Sequence, residues 1–245
     1  MLADWILPEW PAPSRVRAVS TTRFGGVSKA AYASLNFGDH VGDDPAAVAE
    51  NRRRLVLTLG LEREPAWLKQ VHGTQVARLS GAEVQGPADA AVTSKPGLAC
   101  TVMTADCLPV LFCDRAGTRV AAAHAGWRGL CAGVLEATLA AMGQDSVEFM
   151  AWMGPAIGPE SYEVGEEVRQ AFVRLDAGAA AAFAPGMMRG KWWCDLYALA
   201  RRRLEAAGVT ETYGGGLCTY ADRERFFSFR RDGECGRMAT LIYIE

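Results

Sequence analysis

Histidine and paired cysteines are scarce in this sequence, and each shortage excludes a class of protein. The 245 residues include only 3 histidines, His40, His72 and His124. A multicopper laccase needs several more for its blue copper and trinuclear centres. The 7 cysteines are an odd number and include no C-x-x-C pair. This argues against a disulfide scaffold and against a zinc knuckle made of thiolates alone.

Excess charge and long apolar runs are also missing. The chain has 26 basic and 28 acidic side chains, so it lacks the basic surface of proteins that bind nucleic acid or anionic membranes. Any anionic ligand must therefore be held by individual arginines. No stretch reaches the roughly 18 apolar residues of a membrane span. Residues 1–10 include Asp4, Pro8 and Glu9 without a basic lead-in, so we expect a cytoplasmic protein without a signal peptide.

Hydrophobic patterns predict strands alternating with helices. Strand-like runs occur at residues 16–20, 75–79, 98–104, 109–113, 119–123, 148–153 and 238–244. Helices are predicted at residues 45–60, 129–142, 164–175 and 196–207. Residues 176–190 have no clear period, and we expect a loop or short helix there. With no internal repeat or linker, the pattern predicts a single domain, residues 1–245, of the α+β or mixed α/β class.

Two histidines and one cysteine stand near strand ends. His124 follows the predicted strand 119–123, His72 lies beside a glycine, and Cys107 follows Asp106 between two strands. Each of the three could be structural, but together they could hold zinc, which binds nitrogen and thiolate ligands tetrahedrally. Their separations of 35 and 17 residues match no compact zinc finger. They favour a catalytic site whose fourth position is open to water or substrate.

Other polar residues near these motifs are candidate ligand-binding groups. Arg23 precedes a pair of glycines, and its planar guanidinium suits phosphate or carboxylate. Arg128 opens the helix that follows the strand-end histidine, where the helix N-terminus also favours an anion. Tyr162 lies in a Gly/Pro loop, where it could bind a ligand or cover the core. His40 has the least support as a metal ligand because its acidic neighbours are typical of turns and caps.

Five motifs, in this order, resemble the YfiH-type family. This family has been called laccase-domain or polyphenol oxidase and is associated with purine nucleoside phosphorylase activity. The motifs are TTRFGGVS at 21–28, KQVHG at 69–73, ADCLP at 105–109, HAGWRG at 124–129 and GPAIGP at 154–159. The similarity continues through residues 218–220 and 226–231, so it covers nearly the whole chain.

The resemblance implies an α+β fold, a layered sandwich of mixed β-sheets flanked by helices, which this family shares with a group of cysteine hydrolases. It also implies that His72, Cys107 and His124 bind Zn2+, with copper possible in the same site. The expected catalytic residues are Cys107, His124, Arg128 and Asp106, and the expected substrate-binding residues are Arg23, Gln70 and Tyr162. We expect the pocket to be walled by the Arg23 segment, Arg128 and the loop 154–162.

The implied reaction is phosphorolysis of adenosine, inosine, guanosine and S-methyl-5′-thioadenosine, with hydrolytic deamination of adenosine. Phosphorolysis requires a phosphate beside the anomeric carbon, for which Arg23 and Arg128 are candidates. The H-x-E and P-C-x-x-C signature of zinc deaminases is absent, so Asp106 or Glu163 would have to carry the proton. The expected partners are nucleosides and phosphate, with neither nucleic acid nor membrane, and the chain would be a monomer or small homo-oligomer.

Three other functions stay open at this point. Copper in the zinc site could give weak phenol oxidation, since copper binds such ligands more tightly. Without a metal, Cys107 could be the nucleophile and His124 the base of a hydrolase that edits an amide bond in peptidoglycan precursors. The chain could also be a binding module without enzymatic activity.

Overall fold

A computed structural model describes residues 4–81, 84–143 and 149–245. In these residues twelve strands and six α-helices follow one another along the chain. They are β1 Val16–Ser20, α1 Pro45–Leu59, β2 Val76–Arg78, β3 Ala90–Thr93, β4 Cys100–Thr104, β5 Leu108–Asp114, β6 Val120–Ala125, α2 Trp127–Ala132, α3 Val134–Met142, β7 Phe149–Met153, β8 Glu163–Gly165, α4 Glu166–Leu175, β9 Phe183–Pro185, β10 Lys191–Cys194, α5 Leu196–Ala206, β11 Glu211–Gly214, α6 Phe229–Asp232 and β12 Met238–Ile244.

The strands form three sheets. The largest has six strands in the order β11-β7-β5-β6-β3-β2. Its two outer pairs, β11 with β7 and β2 with β3, are parallel, whereas its inner pairs are antiparallel. The other two sheets, β1-β12-β4 and β8-β10-β9, are antiparallel throughout.

The central strands of the six-stranded sheet are buried on both faces. In β5, Val110 and Phe112 face a core made with helices α2 to α5, while Leu111 and Cys113 face the sheet β1-β12-β4. This is the two-residue period of a strand, and burial of both faces makes the segment an unbroken apolar run. Leu55 of α1 joins a core on the far side of β1-β12-β4. The layers confirm the predicted α+β sandwich.

Glycines and short pairings account for the differences from the predicted helices. The predicted helix 129–142 is two helices, because Gly133 has a φ of 103° and ends α2 before α3 begins. The helix predicted from residue 164 begins at Glu166, since Val164 pairs with Trp192 in a sheet. α1 and α5 each end one residue early, α1 at the left-handed Gly60.

Most differences among the strands concern short or alanine-rich segments. β1 and β12 have the predicted bounds, whereas β3, β8, β9, β10 and β11 were not predicted. The predicted strand 148–153 is observed from Phe149, and Glu148 lies outside the described residues. The expected short helix within 176–190 is a 3-10 helix, Ala177–Ala182, whose N-cap is Asp176. No helix within the described ranges is long and apolar enough to cross a membrane.

Candidate functional site

The register of the six-stranded sheet brings Asp89 next to His124. Ala90 of β3 pairs with Ala123 of β6, so the residues beside this pair are also neighbours. The backbone N–H of His124 donates to the carbonyl of Asp89 at 2.7 Å, and its ring Nδ1 lies 2.8 Å from Asp89 Oδ1. Asp89 is fully buried. The carboxylate therefore keeps a proton on Nδ1, so Nε2 is the ring nitrogen that has a lone pair when the ring is neutral.

The same carboxylate holds the turn that carries His72. It accepts hydrogen bonds from the backbone N–H groups of Val71 at 3.1 Å, His72 at 2.9 Å and Gly73 at 2.7 Å. His72 has a φ of 61°, a left-handed conformation that is uncommon outside glycine. These bonds stabilise the turn and bring the His72 ring within 4.7 Å of the His124 ring, centroid to centroid. One buried carboxylate thus positions both histidines.

Cys107 reaches the two rings from the bend between β4 and β5. Its Sγ lies 3.8 Å from His72 Nε2, and the ligand atoms of His72, Cys107 and His124 all lie within 4.8 Å of one another. The preceding residue, Asp106, has a φ of 91° and accepts hydrogen bonds from the Thr219 hydroxyl and the Arg230 N–H, both at 2.7 Å. Asp106 therefore stabilises the bend that presents the cysteine.

Glycines let helix α2 approach this cluster closely. A Cβ on Gly126 would lie 2.9 Å from Cys107 Sγ and 2.9 Å from His72 Cδ2. A Cβ on Gly129 would lie 2.9 Å from the carbonyl oxygen of Gly73. All three distances are too short for a real side chain. The two glycines of the HAGWRG motif are thus required by packing of the helix start against the cluster.

The cluster favours a thiolate beside a protonated histidine. Enclosure by protein alone would raise the pKa of the Cys107 thiol, but the charge of His124 and hydrogen bonds with His124 and His72 outweigh it and lower the pKa to about 6. Enclosure would likewise lower the pKa of His124, but the Cys107 thiolate and the Asp89 carboxylate raise it to about 9. A cation that replaces the proton would be stabilised by the same negative charges.

The three side chains fit a transition metal. A metal held tetrahedrally at about 2.3 Å from a thiolate and about 2.0 Å from an imidazole nitrogen places those two atoms about 3.5 Å apart, near the 3.8 Å between Cys107 Sγ and His72 Nε2. The hydrogen bond from His124 Nδ1 to Asp89 is also typical of metal-binding histidines. Two nitrogens and one thiolate suit zinc or copper.

The cluster forms part of the wall of a cavity of about 310 Å³. This volume is at the lower end of the range for small-molecule sites. Five further side chains in the wall carry polar or aromatic groups: His40, Gln70, Thr104, Phe229 and Arg237. Phe229 is 58% exposed, so an aromatic side chain in this wall is available to a ligand.

Gln70 is the predicted substrate-binding residue that lines this cavity. Its side-chain Nε2 donates to the carbonyl of Met103 at 2.8 Å, and its Oε1 accepts from the Met103 N–H at 2.7 Å. This pair of bonds ties the His72 segment to the end of β4. The contact with substrate stays a prediction.

The structure does not bring Arg23 to the cavity among the residues it describes. The Arg23 side chain donates from Nε to the carbonyl of Ala33 at 2.8 Å and lies over the Phe227 ring, with Cζ 4.6 Å from its centroid. Burial, the largest influence, lowers the pKa of Arg23. The guanidinium is therefore occupied by the carbonyls of Ala33 and Arg223, which is why it does not wall the pocket as expected.

Arg128 and Tyr162 also lie outside the cavity wall formed by the described residues. The exposed Arg128 guanidinium stacks on Trp127, with Cζ 4.5 Å from the ring centroid. Tyr162 packs against the helical core and lies under the Arg230 guanidinium, 4.9 Å away. Burial raises the pKa of Tyr162 above its usual range. Catalytic or binding roles for Arg128, Tyr162 and Asp106 stay predictions.

Sequence reasoning missed Asp89, Phe229 and Arg237 and gave His40 little weight. Asp89 stands alone in the apolar run Ala88-Asp89-Ala90-Ala91-Val92, and a fully buried acid is rare unless it is paired. That isolation was a usable signal for Asp89. The other three reach the cavity only through the packing of distant segments, which no local pattern reveals.

Comparison with known proteins identifies the family. A profile described as multi-copper polyphenol oxidoreductase laccase matches residues 17–245. A purine nucleoside phosphorylase of Pseudomonas aeruginosa is 57% identical over 241 residues, 98% of each chain. The purine nucleoside phosphorylase YfiH of Escherichia coli is 54% identical over 245 residues, 99% of this chain and 100% of the relative. The crystal structure of a Neisseria meningitidis protein matches with a TM-score of 0.94 and 52% identity over 99% of both chains. The protein therefore belongs to the polyphenol oxidoreductase laccase family, among its YfiH-type members.

Proposed function

We propose that this protein is a zinc-dependent purine nucleoside phosphorylase acting on adenosine, inosine, guanosine and S-methyl-5′-thioadenosine. The observation that carries the proposal is a His72–Cys107–His124 cluster with metal-binding geometry in the wall of a cavity of about 310 Å³. Relatives that match almost the whole chain are named purine nucleoside phosphorylases, which supports this substrate class.

The residues of the cavity suit the demands of the reaction. In phosphorolysis the bond from the anomeric carbon to the purine breaks, a phosphate oxygen bonds to that carbon, and positive charge develops on the sugar. Zinc bound to the cluster would supply a Lewis acid that polarises a substrate oxygen. Asp89 keeps the ring of His124 in the tautomer that presents Nε2 to the cluster. The exposed ring of Phe229 gives the purine a surface on which to stack.

We further propose that the protein deaminates adenosine. Water replaces the amino group at C6 of the purine, and a carboxylate commonly carries the protons. The sequence predicts Asp106 or Glu163 for this role. Asp106 Oδ1 accepts a hydrogen bond from Thr219, and Oδ2 accepts one from Arg230. If an Asp106→Asn variant releases ammonia from adenosine at the wild-type rate, Asp106 is excluded from this role.

Phosphate dependence tests the main reaction. Zinc-loaded protein should release hypoxanthine from inosine only when phosphate is present, and should contain about one zinc per chain. His72→Ala and Cys107→Ala should lose both zinc and turnover. Cys218→Ala is the matched control, because Cys218 is another partly exposed free cysteine and lies outside this cavity. Equal release of hypoxanthine without phosphate would contradict the proposal.

A metal-free cysteine hydrolase is the second candidate, and the thiol itself favours it. Cys107 lies 3.8 Å from a histidine nitrogen, and its pKa is lowered to about 6, as in many nucleophilic cysteines. Chelator-treated protein distinguishes the two functions. It should lose nucleoside cleavage if the metal enzyme is correct, whereas cleavage of a peptidoglycan amide bond that persists without metal would favour the hydrolase.

Phenol oxidation is tested by copper loading. Copper accepts the same nitrogen and thiolate ligands as zinc but binds them more tightly, so a preparation exposed to copper should exchange zinc for copper. With dissolved O2 as the oxidant, we expect copper-loaded protein to oxidise phenols weakly, and we expect it to cleave nucleosides more slowly than the zinc form. If protein purified without added copper oxidises phenols faster than it cleaves nucleosides, phenol oxidation is its main activity and the proposal is contradicted.

A further inference from the structure

Arg237 is a half-buried cation in the cavity wall that the mechanism above does not use. It directly precedes β12, and its backbone is fixed on both sides. Its N–H donates to Asn36 Oδ1 at 2.8 Å, and its carbonyl accepts from the Phe37 N–H at 3.1 Å. Gly38 leaves room for the side chain, since a Cβ there would lie 2.9 Å from Arg237 Cγ.

The hydrogen-bond acceptors of the Arg237 guanidinium are all neutral. Nη1 donates to the carbonyl of Cys235 at 2.8 Å and to that of Gly236 at 3.1 Å, and lies 3.6 Å from Cys235 Sγ. Within residues 4–81, 84–143 and 149–245 the guanidinium forms no ion pair with a carboxylate. The nearest acid along the chain, Glu234, accepts a hydrogen bond from the Tyr32 hydroxyl, which raises the pKa of Tyr32 to about 12.

The unused donors of Arg237 are those that best bind an oxyanion. A guanidinium has five N–H donors, and Nη1 accounts for two of them. The Nε–H and Nη2–H groups have no protein acceptor among the described residues, and together they form an edge that can hold two oxygens of a phosphate at once. The Cζ atom lies 5.8 Å from the ring centroid of Phe229, another residue of the cavity wall.

The surroundings of Arg237 favour an anion as the ligand. A partly buried charge is stabilised when a counter-ion supplies hydrogen bonds that water no longer provides. A metal in the cluster would add positive charge to the same cavity. With the protein's net charge at −2, attraction of an anion depends on such a local group.

We propose that Arg237 binds the phosphate oxyanion that takes part in the reaction. The site lies in the cavity formed with His72, Cys107 and His124, and it would accept inorganic phosphate or the phosphate of the sugar 1-phosphate product. Identification of the anion as phosphate rests on the proposed phosphorylase function. The assignment differs from the sequence-based expectation, in which Arg23 and Arg128 bind phosphate.

Steady-state kinetics with inosine test the assignment. For zinc-loaded Arg237→Gln we expect the KM for phosphate to rise about tenfold to a hundredfold, as for loss of hydrogen bonds to a charged group. The KM for inosine should change less than about twofold. Arg237→Lys keeps the charge but loses the two-donor edge, so its KM for phosphate should fall between those of the wild type and Arg237→Gln. Arg201→Gln is the matched control, because Arg201 also donates to a backbone carbonyl, that of Gly214.

Calorimetric titration of inorganic phosphate into the zinc-loaded protein separates the possible failures. If wild-type turnover requires phosphate but Arg237→Gln keeps the wild-type KM for phosphate, the assignment is wrong and the phosphorylase function stands. If the wild type shows no phosphate-dependent turnover, the function fails. If the heat of phosphate binding is then present in the wild type and absent from Arg237→Gln, the anion site is supported. If the wild type itself shows no heat of phosphate binding, the anion site is overturned. If Arg237→Gln does not fold, as judged by its unfolding midpoint, Arg237→Lys decides by the same criteria.

Discussion

Replacement of Asp89 by asparagine should weaken metal binding although Asp89 is not one of the candidate metal ligands. Its Oδ1 receives the His72 N–H and His124 Nδ1, and its Oδ2 receives the N–H groups of Val71 and Gly73. Asparagine has the same shape but offers only one accepting oxygen. Two of the four donors must therefore lose their acceptor.

The expected loss of metal affinity depends on which two donors are left without an acceptor. If the amide oxygen faces Val71 and Gly73, the NH2 group faces His124 Nδ1, and that ring must change tautomer to accept a hydrogen bond. Nε2 then carries the proton and has no lone pair for a metal. Loss of such a partner lowers metal affinity about 10-fold to 100-fold, or about 1.4 to 2.7 kcal/mol. The unpaired buried donors should also lower the free energy of unfolding by about 3 kcal/mol.

Competition with a chromophoric zinc chelator measures the affinity, and urea unfolding of the metal-free protein measures the stability. Asp114→Asn is the matched control, because Asp114 is also buried and also accepts several hydrogen bonds, from Thr118 and Arg119. It should lose stability without losing zinc affinity. Zinc affinity of Asp89→Asn within twofold of the wild type would refute the reasoning.

The remaining predictions concern packing, a buried amide and pH. Gly126→Ala should lower zinc affinity at least about tenfold, because its Cβ would lie 2.9 Å from Cys107 Sγ; the same competition assay measures this. The control is Gly81→Ala, whose Cβ would have open space and which should bind zinc normally. Asn51→Ala removes four hydrogen bonds of a fully buried amide and should cost about 2 to 4 kcal/mol of unfolding free energy in urea. Burial would raise the pKa of Asp114, but its hydrogen bonds outweigh burial and lower the pKa. The wild type should therefore exceed Asp114→Asn in stability by about 1.5 to 3 kcal/mol above pH ~4, and the difference should shrink as the pH falls through the lowered pKa. A constant difference down to acidic pH would contradict this.

The sequence predicts the long buried strands well because burial leaves a continuous apolar run. β12, Met238–Ile244, is buried at every position and was predicted with its observed bounds. β3 was missed because its alanines, Ala90 and Ala91, carry no strand preference, and its strand conformation depends on pairing with β6 and β2. Gly133 gave no local sign of a break, since only its left-handed backbone in the folded chain separates α2 from α3.

The candidate metal ligands could be predicted from residue type, but the contacts that position them could not. With only three histidines, the sequence offers few ways to build a nitrogen and thiolate site, and the motifs narrowed these to His72, Cys107 and His124. Asp89 acts through the register of β3 against β6, and Arg237 acts through the return of the chain at the start of β12. Such roles depend on pairings between distant segments, which a single sequence does not specify.

The hydrogen bonds of Asp89 to both His72 and His124 have a consequence for the proposed metal site. Small zinc domains fold only when the ion gathers their ligands. Here a six-stranded sheet and one buried carboxylate gather the candidate ligands, so under the proposed function the folded chain would be able to take up, release and exchange ions. Its metal content would then follow the supply of zinc and copper in the surrounding medium, and the growth conditions of a preparation would decide which chemistry it displays.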